Sequence, residues 1–202
     1  MLRVGLTGGL ASGKSFVGLT LEALGCHLIK ADELGHQVLM PGGSAYQEVV
    51  REFGGDILAP DGTIDRRKLA SEVFDYPERL ARLNGIVHPP VIKMEERMIA
   101  AAEAKDPGGI AVVEAAILIE TGSHKRFQKL ILAVCGDEEQ IERAMRRDRM
   151  TRAEALARLR RQMPLEEKRR YADYIVDTSG TKENTAAHTR EVYITLRSLV
   201  QT

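Results

Sequence analysis

The chain has no excess of either charge: 29 lysines and arginines stand against 29 aspartates and glutamates. Binders of duplex nucleic acid usually carry a basic surplus, so such a role is excluded unless a local patch supplies it. Cysteine is scarce. Cys26 and Cys135 lie far apart, no Cys-x-x-Cys pair exists, and no Cys/His spacing suits zinc. Both read as small buried residues beside strands in a protein of a reducing compartment. No apolar run is long enough to span a membrane. The first residues run straight into Leu2-Arg3-Val4-Gly5-Leu6, without the charged start and long apolar region of a signal peptide. The expectation is a cytoplasmic protein with no membrane partner. Internal repeats, low-complexity tracts and disordered linkers are lacking too. The 202 residues of the chain, 44% hydrophobic and 29% charged, suit one globular domain that needs no disulfide staples.

Leu2 to Leu6 reads as a buried strand that ends at a glycine-rich turn. Lys14 to Leu24 shows helical spacing, with Gly25 as its stop, and Cys26 to Ile29 reads as a second strand. Strand, helix, strand opens an α/β fold with a parallel sheet flanked by helices. From about residue 33 to 105 the pattern is helical, punctuated by Pro41-Gly42-Gly43, Gly54-Gly55, Pro60-Asp61-Gly62 and His88-Pro89-Pro90. Only Ile57-Leu58 hints at a strand there. This stretch predicts a helical insertion over the strand ends, where open α/β sheets bind substrates. Strands then return at 110–113, 130–134 and 174–176. Helices are expected from Asp137 and Thr151, each with a capping-box spacing, from Pro164, and from Lys182 to Val200.

Gly8-Gly9-Leu10-Ala11-Ser12-Gly13-Lys14-Ser15 matches GxxxxGK[ST] between a strand and a helix. This is the phosphate-binding loop, or P-loop, of nucleotide-binding α/β folds. Its glycines let successive N–H groups turn inward to cradle a β-phosphate at a helix N-terminus. Lys14 reaches the β- and γ-phosphates, and Ser15 offers a hydroxyl to Mg²⁺. ATP with Mg²⁺ is the expected cofactor pair, and Phe16 follows the cradle. Asp32 comes just after the second strand. There it can act as a base toward an attacking hydroxyl, hold Mg²⁺ through water, or cap a helix starting at Glu33. Glu114 ends the third strand, either as a metal-side carboxylate with Ser15 or as a strand-terminal residue facing water. Glu120 could bound the same pocket.

Neutrality overall hides a local surplus. Residues 143–170 carry eleven Lys/Arg and four Asp/Glu. Arg143 and Arg147 lie one helical turn apart, a spacing at which like charges repel slightly, and an anion between them would reverse that. The segment from about 137 to 170 thus reads as a lid that closes over a triphosphate and supplies transition-state arginines. A solvated helix face and a nucleic-acid patch are the other readings. The second is weakened by the lack of interleaved aromatics.

Together these motifs resemble the dephospho-CoA kinase family. Leu6-Thr7-Gly8-Gly9 opens the loop, and Lys30-Ala31-Asp32 stands at the family's Asp-Ala-Asp. Asp61-Gly62-Thr63-Ile64-Asp65-Arg66-Arg67 and Val87-His88-Pro89 match its central signatures. Arg146-Arg147-Asp148 resembles its lid, and Ala172 to Asp177 its late strand. The resemblance spans nearly the whole chain. It implies a P-loop kinase that uses MgATP to phosphorylate the ribose 3′-hydroxyl of dephospho-CoA. It also implies Asp32 as base, Arg66 and His88 as residues for the CoA portion, and Arg143 and Arg147 as lid arginines. Lys30, Phe16, Glu114-Ala115-Ala116 and Thr178 depart from the usual pattern. A cation at Lys30 would favour ionised Asp32 and lower its basicity, or steer a phosphate. Another small nucleoside or nucleotide kinase shares the loop and lid, and a nucleic-acid-associated ATPase would rely on the basic segment. A GTPase-type switch would want an Asn-Lys-x-Asp motif, which is missing.

Overall fold

The computed structural model describes residues 1–200. The chain divides into two compact units, Met1–Lys30 with Ile99–Thr202, and Ala31–Met98.

The first unit is built on a five-stranded parallel sheet in the order β2-β3-β1-β4-β5. Its strands are β1 (Leu2–Gly8), β2 (His27–Lys30), β3 (Ile110–Glu114), β4 (Lys129–Val134) and β5 (Tyr174–Asp177). β1, β3 and β4 are buried along almost their whole length because the central strands of such a sheet are covered on both faces. Leu2, Val4, Leu6, Ile110, Val112, Ile131 and Ala133 meet Val17 and Leu21 of α1 (Lys14–Ala23) and Leu196 of α9 (Lys182–Val200) in the main core. Because β1 is central, with β3 and β4 on either side, the loop leaving its carboxyl end lies at the middle of the sheet edge. Gly25, at φ 100°, ends α1 in a conformation that favours glycine.

Three further helices belong to this unit: α6 (Asp137–Asp148), α7 (Arg152–Arg160) and α8 (Leu165–Arg169). Thr151 and Glu154 form the expected reciprocal capping box at α7. The spacing at Asp137 misleads. α6 is preceded by Gly136 with no side-chain cap, because Gln140 is turned inward and donates to the Cys135 carbonyl at 3.2 Å. Pro164 stands just before α8 instead of inside its first turn.

The second unit holds α2 (Ala31–Val38), α3 (Tyr46–Phe53), α4 (Arg66–Val73) and most of α5 (Pro77–Lys105). Val49, Phe53, Ile57, Ile64, Leu69 and Val73 are buried in it. Ile57-Leu58 does not form a strand. Gly55–Ile57 is a single 3-10 turn, and Leu58 makes only an isolated antiparallel bridge with Ile64. Between them the Asp61 carboxylate accepts from the Thr63 amide and hydroxyl at 3.0 and 2.7 Å, and Gly62 sits at φ 82°. Asp65 then caps α4 by accepting from the Arg67 and Lys68 amides. The His88-Pro89-Pro90 punctuation is also overturned, for α5 runs straight through both prolines. Each proline removes one rung of the helix ladder, and the long flanking turns carry the helix past that gap.

Candidate active site

The loop from Gly8 to Ser15 is shaped by close approaches. A Cβ on Gly8 would lie 2.3 Å from the Ser12 hydroxyl and 2.7 Å from the Ala133 carbonyl. One on Gly13, which sits at φ 81°, would meet the Thr178 hydroxyl at 2.9 Å. Ala11 takes the left-handed region at φ 48° although it is not glycine. Ser12 is buried and its amide closes a turn onto the Gly9 carbonyl at 3.2 Å. Lys14 and Ser15 begin α1, so the helix N-terminus and the loop amides face one place.

That place is a cleft of about 500 Å³ lined by Ala11, Ser12, Gly13, Lys14, Ser15, Arg143, Arg146, Arg147 and Lys182. Five of these nine residues are cations, which gives the cleft the charge and size for a polyphosphate ligand. Gly8 and Gly9 shape the loop from behind this wall. Phe16 does not line the cleft; its ring lies 5.7 Å from the Lys182 ammonium.

Arg143 and Arg147 both reach the cleft from one face of α6, but they are held differently. The Arg143 guanidinium donates to the Thr178 carbonyl at 2.7 Å, to the Thr178 hydroxyl at 3.1 Å and to Glu139 at 2.5 Å. Arg147 makes a two-point pair with the adjacent Asp148 at 2.8 Å. That bond raises the arginine's pKa and holds the Asp148 carboxyl below its usual range. Arg143 is 24% exposed and anchored on Thr178 and Glu139, whereas Arg147 is 59% exposed and paired with its neighbour in sequence. Thr178 ties the arrangement to the loop, its hydroxyl lying 2.7 Å from the Ser12 carbonyl.

Glu114 is buried, and its Oε1 accepts from the Ser15 hydroxyl at 2.6 Å. Its Oε2 is buried beside Gly18 and receives no hydrogen bond. A hydroxyl beside a carboxylate with a spare oxygen is a hard-oxygen donor set that fits Mg²⁺. Among the described residues no cluster of three or more His, Cys, Asp or Glu could hold a metal alone. Mg²⁺ characteristically completes its shell with phosphate oxygens and water. Lys30 is in register with Glu114 across β2 and β3, so it belongs to this sheet edge.

Asp32, Arg66 and His88 belong to the second unit. Asp32 is exposed and is the second residue of α2, inside the first turn, so it is not the helix cap. Arg66 is exposed at the first position of α4. Helix N-termini favour anions over cations, so an arginine placed there suits a site that receives an anion. His88 is half-buried within α5, and desolvation lowers its pKa.

Other basic residues turn out to be structural. Arg152 pairs with Glu138, and Lys168 is buried against Glu120 at 2.7 Å. Glu120 therefore anchors α8 and does not line the cleft. Lys182 joins the cleft from the start of α9, and a lysine opening a helix is the same unfavourable placement as Arg66 and a signal for it in the sequence.

A parallel sheet with a P-loop at its central strand, a hydroxyl–carboxylate pair beside the loop and a cation-lined cleft define a P-loop kinase. The family model described as dephospho-CoA kinase matches residues 2–184. A dephospho-CoA kinase of Geobacter sulfurreducens is 41% identical over 191 residues, covering 94% of this chain and 96% of that protein. The chain belongs to the dephospho-CoA kinase family. Among solved structures, one from Thermus thermophilus superposes with a TM-score of 0.84 at 30% identity, covering 96% of this chain and 97% of that one. A dephospho-CoA kinase from Campylobacter jejuni gives 0.59 at 25% identity, with 96% of each chain covered.

Proposed function

We propose that this protein transfers the γ-phosphoryl group of ATP to the ribose 3′-hydroxyl of dephospho-CoA, giving coenzyme A and ADP. The observation that carries the reading is the cation-lined cleft over the P-loop, with Ser15 and Glu114 at its edge, in a member of this family. The loop amides and Lys14 hold the β- and γ-phosphates. Ser15 and Glu114 would hold Mg²⁺, which would supply neutralising charge to the triphosphate. Asp32 accepts the proton of the 3′-hydroxyl as its oxygen bonds to the γ-phosphorus and the bond to ADP breaks. Arg143 and Arg147 present positive charge to the transferring group from the cleft wall. Arg66 and His88 bind the CoA portion. The lowered pKa of His88 keeps it neutral near pH 7, as a hydrogen-bonding partner and not a charge.

No helix among the described residues is long and apolar enough to cross a membrane. The reading needs neither membrane nor nucleic acid and places the enzyme in the cytoplasm. Purified protein with MgATP should phosphorylate dephospho-CoA in preference to adenosine, AMP and pantothenate. Equal turnover of adenosine or AMP, or none of dephospho-CoA, would overturn the substrate assignment.

A further inference from the structure

The cleft uses the inward face of the P-loop. The outward face has a partner of its own. The Leu10 amide donates to the side-chain carbonyl of Gln162 at 2.9 Å, across 152 positions of sequence. Gln162 follows the end of α7, where its own amide is bound to the Leu159 carbonyl at 3.1 Å. A second glutamine faces the same stretch, for a Cβ on Gly9 would lie 2.4 Å from the Gln140 carbonyl and 3.4 Å from that of Gln162. The loop thus passes beneath two glutamine carbonyls, one from α6 and one from the turn after α7.

Apolar packing holds the same parts together. Ile141 and Ala144 of α6 and Ala155 of α7 form a small core, on which Leu10 and Ala11 of the loop pack with Leu156 and Leu159. The chain beyond Gln162 is anchored as well. Glu120 accepts from the Met163 amide at 3.4 Å and pairs with Lys168, whose side chain is 2% exposed. Gln162 therefore sits on a fixed support.

We propose that Gln162 is a positioning residue for the phosphate cradle. Its carbonyl fixes the Leu10 amide, and through it the curvature of the P-loop, to the α6–α7 hairpin. An amide bound on the outer face cannot rotate into the cleft, so the neighbouring N–H groups stay turned inward. A loop shaped before its ligand arrives loses less freedom on binding. Gln162 needs no contact with the nucleotide to affect its affinity.

The test uses the full chain and two substitutions. Gln162→Met keeps length and apolar bulk but removes the acceptor, and Gln162→Glu keeps an acceptor. Amide hydrogen exchange at Leu10 is read without nucleotide, and ADP affinity is read by calorimetry. Leu10 should exchange roughly tenfold faster in Gln162→Met and ADP should bind roughly tenfold more weakly, the scale of one lost hydrogen bond. Melting should be nearly unchanged. Gln162→Glu should keep Leu10 protected, while its charge near the phosphates raises KM for ATP. An unprotected Leu10 amide in the unaltered protein would overturn the proposal. So would wild-type protection and ADP affinity in Gln162→Met, or exchange quickened equally at every amide. The inference rests on the P-loop as the nucleotide's seat. Failure of that reading shows separately, as an unaltered protein that binds no ADP.

Discussion

The two units hold their functional residues by different means. In the first, the loop and its surroundings are tied to chain far away: Thr178 to Ser12 across 166 positions, Ser15 to Glu114 across 99, and Leu10 to Gln162 across 152. In the second, the ties around Arg66 are local. Asp61 holds Thr63 two residues on, and Asp65 caps α4 through residues two and three on. Long-range ties make fold and site one object in the first unit. Asp32 and Arg66 are exposed side chains in the first turns of their helices.

The comparison breaks if the two units respond alike to substitution. Lys14→Ala should have the largest effect, with phosphoryl transfer lost by about 10³-fold or more because the cradle loses its mobile cation. Turnover near wild type would remove the P-loop from the chemistry. Asp32→Asn should lower kcat by roughly 10²–10⁴-fold, the span of general-base loss, with affinities and melting kept. Partial rescue by excess Mn²⁺ would reassign Asp32 to the metal.

Arg143 and Arg147 test the first unit internally. Each to Ala should lower kcat by roughly 10²-fold, the scale of one lost transition-state donor. Only Arg143→Ala should also lower Tm, by about 2–4 °C for each kcal/mol lost, because it abandons Glu139 and the Thr178 carbonyl. Equal melting of the two variants would refute that division. Arg66→Ala should raise KM for dephospho-CoA about tenfold, the scale of a charge-assisted bond, and leave KM for ATP unchanged. Its Tm should hold or rise slightly, since a cation leaves a helix N-terminus.

The smallest effect is one of pH. Burial lowers the His88 pKa below its ordinary 6.5, so the folded state takes up this proton less readily than the unfolded chain. The contribution to stability is therefore complete above about pH 6.5 and declines as pH falls through the window beneath it, by at most about 1.4 kcal/mol per unit. Thermal melts from pH 5 to 7.5 should show a shallower acid slope in His88→Gln; parallel slopes would remove His88 as the cause.

Features set by local chemistry were legible in the sequence: the P-loop, the acidic end of β3, the Thr151–Glu154 capping box and the bounds of α9. The resemblance added the family. What stayed hidden depends on distant partners. No pattern within residues 8–15 announces Thr178 or Gln162, and none around Asp137 shows Gln140 turning inward to Cys135. At Pro89 and Pro90 the local rule for chain breaks loses to the helix on either side. Lys30 shows a further limit. Its identity was visible, but its register opposite Glu114 required the sheet.

Ala11 sets a limit on modularity. Its backbone stands at φ 48°, a conformation that disfavours a Cβ, yet its methyl packs on Ile141, Ala144 and Ala155. The eight-residue motif is therefore not a portable part. Grafted onto a foreign α/β scaffold, it would bring the unfavourable alanine without the hairpin that makes it tolerable, and glycine would be the better residue there. The hairpin and the loop form a single packed unit, in which a change to the buried face of α6 or α7 is also a change to the phosphate cradle.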